Sequence, residues 1–443
     1  MEEQALEIIR TLQRHGHEAY YAGGYVRDRI LGLESHDIDV ATSASPDEVE
    51  KLFEKTLAVG KAFGVIVVVI DGVEIEVATF RTDSTYSDGR RPDSVAFSSK
   101  EEDAKRRDLT INGMFYDPIF NEVLDFVGGR EDIRNRIIRL IGDPEARIAE
   151  DKLRMLRVVR FAARLDFTID SGTLEAVRRH SSEITQISAE RIADELQKIL
   201  RTGHYRTAMG LLFDTELMKH ILPEVYVMKG CEQPADYHPE GDVLVHTIKA
   251  LENLPETASD ELRMGTLLHD VGKPATSSLL SGSVDRNEDR IRFNRHELVG
   301  KDISREILKR LKFSNEFTDR VLELVGNHMK FMHVKEMRTS RLKRFIGMPG
   351  FEEHMALHRA DCLASHGNID NYEFVKEKLE TYEPEEIRPV RIITGKDLLK
   401  LGFTAGPLFK TILTDVEDRQ LDGAVKNREE ALEYVMETYQ TAG

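Results

Sequence analysis

The sequence predicts an α+β head, a mixed or antiparallel sheet with helices, followed by a mainly α-helical remainder. Three observations predict it. Val65–Ile70 and Val73–Phe80 are β-rich runs separated by Asp71-Gly72, a strong hairpin signal. Residues 37–41 alternate polar and apolar, as a half-buried strand does. Beyond about residue 132 the strand signals fade, and apolar residues recur at helical spacing to the end.

Each element follows in order. Residues 3–14 read as an amphipathic helix, whose mixed charges distinguish it from a secretory leader. Glu18–Tyr21 reads as a strand running into the turn Gly23-Gly24, and Val26–Leu31 starts a helix. Asp47–Phe53 reads as another. Residues 82–105, with Gly89, Pro92 and many charges, read as a long mobile loop. Helical breaks are expected near Gly203, at Pro234–Gly241, at Ser281–Asp289 and at Pro384–Pro389.

A chain of 443 residues exceeds one ordinary core, so two to four domains are expected. Hydrophobic content of 40% and charged content of 32% fit a soluble, folded protein. No apolar run is long enough to span a bilayer, so no membrane partner and a cytoplasmic location are expected. Cys231 and Cys362 lie far apart and form no redox or metal motif. The net charge of −17 argues against a general nucleic-acid binder, and DNA is not expected as a partner. It leaves room for a local basic surface, and Arg and Lys do concentrate around Arg106–Arg107 and from Arg154 to Arg164.

The chemistry-bearing residues begin with Gly23, Gly24, Arg27 and Asp28. Paired glycines admit a triphosphate close to the backbone, and Arg27 adds a charge-assisted donor. Asp37 and Asp39, two apart on a strand, point to one face. Two adjacent carboxylates repel unless a cation lies between them, and Mg²⁺ shared with substrate phosphates is the natural filler. Glu74 and Glu76 share a face of a nearby strand, which makes Glu76 a candidate third carboxylate. Asp151 and Arg154, three apart, are expected one helical turn from each other. Asp only accepts and Arg only donates, so together they match the amine-plus-ring-nitrogen edge shared by cytosine and adenine. Guanine and uracil present the opposite order and would leave polar groups unpaired. Arg157, Arg160 and Arg164 form a stripe suited to phosphates, while Leu156, Val159 and Ala163 read as core.

In order along the chain, Gly23-Gly24-Tyr25-Val26-Arg27-Asp28, Asp37-Ile38-Asp39, Arg106-Arg107-Asp108-Leu109-Thr110-Ile111-Asn112 and Glu150-Asp151-Lys152-Leu153-Arg154 resemble the superfamily of class II tRNA nucleotidyltransferases and bacterial poly(A) polymerases. The resemblance implies Asp37 and Asp39 as catalytic Mg²⁺ ligands. It implies Arg107 and Asp108 at the nucleotide's sugar and phosphates, with Asn112 supporting the same pocket. It implies Glu150, Asp151 and Arg154 as the protein template, with Glu150 orienting Arg154. Glu190, Arg191 and Glu195 fall in the next helical motif, read as structural. The stretch from Phe80 through Tyr86, Asp88, Arg90 and Pro92 to Phe97 occupies the place of a family loop used in switching from C to A, without apparent shortening.

His246, His269, Asp270, His296, His328 and Asp361 follow in the helical half. Their spacing resembles HD-domain phosphohydrolases. That implies His246, His269, Asp270 and Asp361 as ligands of a divalent ion such as Ni, Mn or Mg, with His296 and His328 as candidates for a second ion. His238, His333, His354 and His358 carry no such support. The tail, Gly395-Lys396-Asp397-Leu398 through Gly402, Gly406-Pro407 and Leu421–Val435, resembles the C-terminal domain of bacterial CCA-adding enzymes, although Lys410 departs from the glycine often found there.

These resemblances divide the chain into a head at 1–138, a neck at 139–225, an HD domain at 226–375 and a tRNA-binding tail at 376–443. The implied function is template-independent addition of C and A to the tRNA 3′ end from CTP and ATP. Alternatives are A-only, CC-only or poly(A) tailing, or an HD phosphodiesterase with an RNA-binding first half. The sequence is silent on oligomeric state.

Overall fold

The computed structural model describes residues 1–35, 37–83, 95–234, 238–239, 241–277 and 291–440. Two compact units divide them: 1–226 with 307–313, and 227–306 with 314–443.

The first unit is built on a seven-stranded sheet of order β3-β4-β5-β2-β1-β8-β9. The strands are β1 (Ala19–Ala22), β2 (Asp39–Thr42), β3 (Thr56–Leu57), β4 (Val65–Ile70), β5 (Val73–Thr79), β8 (Met114–Asp117) and β9 (Glu122–Asp125). All pairs are antiparallel except β2 with β5, so the sheet is mixed. The hairpin β4–β5 turns on Asp71 (φ 51°) and Gly72 (φ 79°), the two left-handed positions such a turn requires. Helix α1 (Glu2–Arg14) buries Ala5, Ile8, Ile9 and Leu12, the one face its spacing predicts. Helix α2 (Gly24–Leu31) leaves β1 directly through Gly23, and α3 (Pro46–Leu52) starts from a Ser45–Glu48 capping box. Tyr20, Phe80 and Phe115 form one aromatic cluster of the core.

Residues 82–105 are not one loop. Arg81–Asp83 and Val95–Phe97 pair antiparallel as β6 and β7, and α4 spans Lys100–Arg106. Ser99 caps that helix by accepting from the Glu102 amide, and three acidic residues occupy its first turn. Its charge density hides the helix from an apolar-periodicity test. The remainder of the expected base-switching loop, with Tyr86, Asp88, Arg90 and Pro92, lies outside the described residues, as does the expected break at Ser281–Asp289 and part of that at Pro234–Gly241.

After α5 (Gly129–Asn135) the unit is mainly helical: α6 (Pro144–Glu150), α7 (Arg154–Leu165), α8 (Ser171–His180) and α9 (Ala189–Leu200). Leu156, Val159 and Ala163 are fully buried, as expected of core. Asp151 is not on a helix shared with Arg154. It sits at the break between α6 and α7 in extended conformation, and its Oδ1 accepts the Leu153 amide at 3.0 Å. An Asp competes well for free amides at a helix start, which explains the break.

The second unit is helical. Phe331, Phe345 and Phe351 centre one apolar cluster, and Ile393, Leu398, Ile412 and Val416 belong to another. The expected break at Pro384–Pro389 instead begins with a short helix, Pro384–Ile387, with proline at its start and a Glu383–Glu386 capping box. Cys231 and Cys362 are free thiols; burial, with Asp361 beside it, pushes that of Cys362 up to about 12. No helix among the described residues is long and apolar enough to cross a membrane.

Candidate active site

A cleft of about 790 Å³ opens in the first unit. Gly23, Gly24, Arg27, Asp37, Asp39, Arg107, Asp108, Asn112, Asp151, Arg154 and Arg157 all line it. Gly23 has φ +67°, and a Cβ there would lie 3.0 Å from Arg107 Nη1 and 4.0 Å from Asp39 Oδ2. The left-handed backbone disfavours any side chain there, and a Cβ would also crowd the Arg107 guanidinium.

Asp39 opens β2, while Asp37 precedes the strand instead of lying on it. The parallel pairing of Val40 with Val77 brings Glu76 of β5 beside Asp39. Burial, then the charges of Asp37 and Glu76, push the Asp39 carboxyl up to about 6, offset only in part by Arg107. Carboxylates near enough to raise one another by their charge offer the oxygen donors that a hard divalent cation takes.

The arginines are held in an ion-pair lattice. Arg27 grips Asp28 through Nε and Nη2, both at 2.8 Å, and donates to Asn112 Oδ1 at 2.6 Å. Asp103, 1% exposed, accepts from both Arg106 and Arg107 and from the Arg81 amide. Asp108 accepts from Arg157 Nε at 2.6 Å, from the Leu109 amide at 2.8 Å and from Asn112 at 3.4 Å. Burial raises the Asp108 carboxyl, but Arg157 and these donors outweigh it and hold the group down to about 2. Arg164 reaches Asp28 at 3.4 Å and lines the cleft; Arg160 does not line it and pairs with the buried Glu195.

Asp151 and Arg154 do not pair with each other. Asp151 Oδ2 accepts from Arg191 Nη2 at 2.7 Å. Arg154 Nη1 donates to Glu150 Oε2 and to the Arg147 carbonyl, both at 2.6 Å. Glu150 itself does not line the cleft. Arg191, expected to be structural, therefore belongs to the site. Its signal, an Arg at the start of a helix forty residues beyond Asp151, has no local meaning in the sequence.

The second unit gathers His246, His269 and Asp270, and also Asp270, His296 and His328, with ligand atoms of each trio within 4.8 Å of one another. Asp361 Oδ1 lies 3.0 Å from His246 Nε2. His269, His296 and His328 each donate Nδ1–H to the carbonyl three residues earlier, at 2.8, 2.9 and 2.7 Å. That fixes their tautomer and turns the Nε2 lone pairs inward. His269 Nε2 then lies 3.3 Å from His246 Nε2, and His296 Nε2 lies 3.1 Å from His328 Nε2. Asp270 Oδ2 is buried without a well-formed hydrogen bond, although Lys273 Nζ stands 2.7 Å away. Converging imidazole lone pairs around the buried Asp270 carboxylate fit a bound divalent cation. His238 stands edge-on to His246 with ring centroids 4.9 Å apart; His354, 1% exposed, has neither ring nitrogen hydrogen-bonded.

The chain is similar to known proteins along nearly its whole length. Residues 19–139 match the poly A polymerase head domain, residues 166–228 the "Probable RNA and SrmB- binding site of polymerase A", and residues 297–436 the "tRNA nucleotidyltransferase domain 2 putative". The CCA-adding enzyme of Geobacillus sp. (strain WCH70) is 34% identical over 432 residues, 97% of this chain and 95% of that protein. The CCA-adding enzyme of Bacillus pumilus (strain SAFR-032) is 47% identical over 218 residues, 49% of this chain and about half, 54%, of that relative. The crystal structure of the Bacillus stearothermophilus CCA-adding enzyme in complex with CTP superposes with a TM-score of 0.75 at 29% identity, covering 99% of this chain and 98% of that one. An aspartate pair beside a glycine turn, an arginine-lined cleft and similarity along nearly the whole chain agree, and the protein is a nucleotidyltransferase belonging to the CCA-adding enzyme family.

Proposed function

We propose that this chain adds C and A to the 3′ end of tRNA, using CTP and ATP and releasing pyrophosphate. The observation that carries the reading is the cleft in which an acceptor, Asp151, and a donor, Arg154, stand apart from each other yet line the same space as Asp37 and Asp39. The attacking 3′-hydroxyl forms a bond to the α-phosphorus as the bond to pyrophosphate breaks. Asp37 and Asp39 would hold Mg²⁺, which supplies charge neutralisation at the reacting phosphate. Arg27 and Arg107 meet the triphosphate, and Asp108 and Asn112 meet the sugar, each fixed beforehand by the lattice described above. Arg157 and Arg160 keep that lattice rigid. Asp151 accepts from the exocyclic amine of cytosine or adenine, and Arg154 donates to the neighbouring ring nitrogen. We read residues 1–138 as head, 139–225 as neck, 226–375 as HD domain and 376–443 as a tRNA-binding tail.

The imidazole cluster supports a second activity. His246, His269, Asp270 and Asp361 would hold one divalent ion of the Ni, Mn or Mg kind, and His296 and His328 a second, for hydrolysis of 2′,3′-cyclic phosphates or phosphomonoesters. Such a step restores the free 3′-hydroxyl that nucleotide addition needs.

The deciding experiment incubates labelled tRNAs ending before CCA, after C and after CC with single nucleotides. Full CCA addition gives C on the first two and A on the third. A on the third alone, C on the first two alone, or repeated A would replace the reading with A-only, CC-only or poly(A) tailing.

A further inference from the structure

Base selection is proposed to rest on Arg154, yet the residue that fixes Arg154 lies outside the template motif. Arg154 is 7% exposed, and both hydrogens of its Nη1 are used, one on Glu150 Oε2 and one on the carbonyl of Arg147. Among the described residues nothing engages its Nε or Nη2, which stay available to a base. Glu150 is in turn held by the Arg147 guanidinium. The other arm of that guanidinium donates to the backbone carbonyls of Arg106 and Arg107, the latter at 2.6 Å. One residue therefore supplies a backbone acceptor to Arg154, a cation to its carboxylate partner, and two donors to the loop that carries Arg107 and Asp108.

We propose that Arg147 is a positioning residue for nucleotide choice, locking the base-reading edge of Arg154 to the loop that meets the nucleotide's sugar and phosphates. The inference rests on the selecting role given above to Asp151 and Arg154. A planar, forked guanidinium suits the task, because Glu150 and two carbonyls lie in different directions and a single ammonium cannot reach all of them at once. Without Arg147, Glu150 loses its anchor and Arg154 can turn its fork. Discrimination falls, because the wrong base no longer meets a fixed donor order.

The test uses the full chain with tRNA ending before CCA, and compares kcat and KM for CTP and UTP in Arg147→Lys, Arg147→Met, Glu150→Gln and the Arg147→Met/Glu150→Gln double variant. The expected result is a fall of about tenfold in the CTP-over-UTP preference for Arg147→Met, carried mainly by KM, with partial recovery in Arg147→Lys. The double variant should lose no more than the worse single variant, because Arg147 acts through Glu150. An unchanged preference in Arg147→Met of native circular dichroism overturns the proposal, as do losses that multiply in the double variant. If Arg147→Met does not fold, Arg147→Lys with Glu150→Gln runs the same cycle. Arg154→Ala serves as the control: should it too keep the wild-type preference, the selecting reading itself fails, independently of Arg147.

Discussion

The two polar clusters are opposites. In the first unit, Asp37 and Asp39 line an open cleft with Glu76 close enough to Asp39 to raise it, and nearly every arginine of that cleft is already committed to a named acid. In the second, five of the six groups are at least nine-tenths buried, and three of the imidazoles are turned inward by carbonyls of their own chain. Two carboxylates lining an open cleft would suit Mg²⁺, which keeps few protein ligands and shares its shell with substrate. The second converges its lone pairs in a buried setting, as would suit an ion held by imidazole. Within one chain, the proposed transfer site is open and led by carboxylates, whereas the proposed hydrolytic site is buried and led by imidazoles.

The comparison breaks most visibly at the carboxylates. Asp37→Ala or Asp39→Ala should lower nucleotide addition by roughly a thousandfold or more, since the charge opposing the reacting phosphate is lost. Filter binding of tRNA should change little. Addition within a few fold of wild type in both variants would remove these residues from catalysis. Next comes the double variant His269→Ala/Asp270→Ala, which should lose bound metal by elemental analysis and any phosphate release, while nucleotide addition stays within about twofold. Metal retained by that variant would show that the cluster is not the binding site.

Much of the catalytic site is legible in sequence because its residues come in short polar runs that no core would tolerate. Gly23-Gly24, Asp37 to Asp39 and Arg107 to Asn112 each announce a turn, a face or a loop, and the structure brings all of them to one cleft. What hides is the support. Asp103 sits in a helix whose charges conceal its periodicity, though Ser99 three residues before Glu102 was a readable cap signal. Arg147 and Arg191 each meet partners some forty residues away, and an arginine in a helix reads as solvated unless that partner is known. The spacing of Asp151 and Arg154 suggests one helix, whereas the Asp side chain breaks it. The imidazole cluster is legible for another reason: adjacent His269 and Asp270 cannot both face an apolar core, and His246, His296, His328 and Asp361 recur around them along the helical half.

A smaller effect sharpens the template side. Asp151→Ala or Arg154→Ala should raise UTP and GTP incorporation relative to CTP and ATP by on the order of tenfold to a hundredfold, the worth of one or two unmade hydrogen bonds at about 1–3 kcal/mol each. Steady-state kinetics with single nucleotides measures it, and unchanged ratios in both variants would take these residues out of selection.

The smallest effect contrasts two histidines. His328 is driven down to about 3 by burial and by His296 and His269, so it is neutral at any ordinary pH. His180, at the end of α8, lies between Glu183 and Glu145, whose hydrogen bonds raise it above its usual 6.5. The folded state therefore binds the His180 proton more tightly than the unfolded chain does. Its stabilisation is complete below pH 6.5 and is lost as pH rises through the folded value. Because the ring and both carboxylates are only part-buried and solvent screens the pair, the gain is below about 1 kcal/mol. His180→Gln should accordingly lower the urea midpoint at pH 5.5 and leave it unchanged at pH 9. Glu145 opens the helix that carries Arg147, so this surface pair also ties α8 to the arm that holds the template. An equal loss at both pH values would show that the ring is packed there and that its charge contributes nothing.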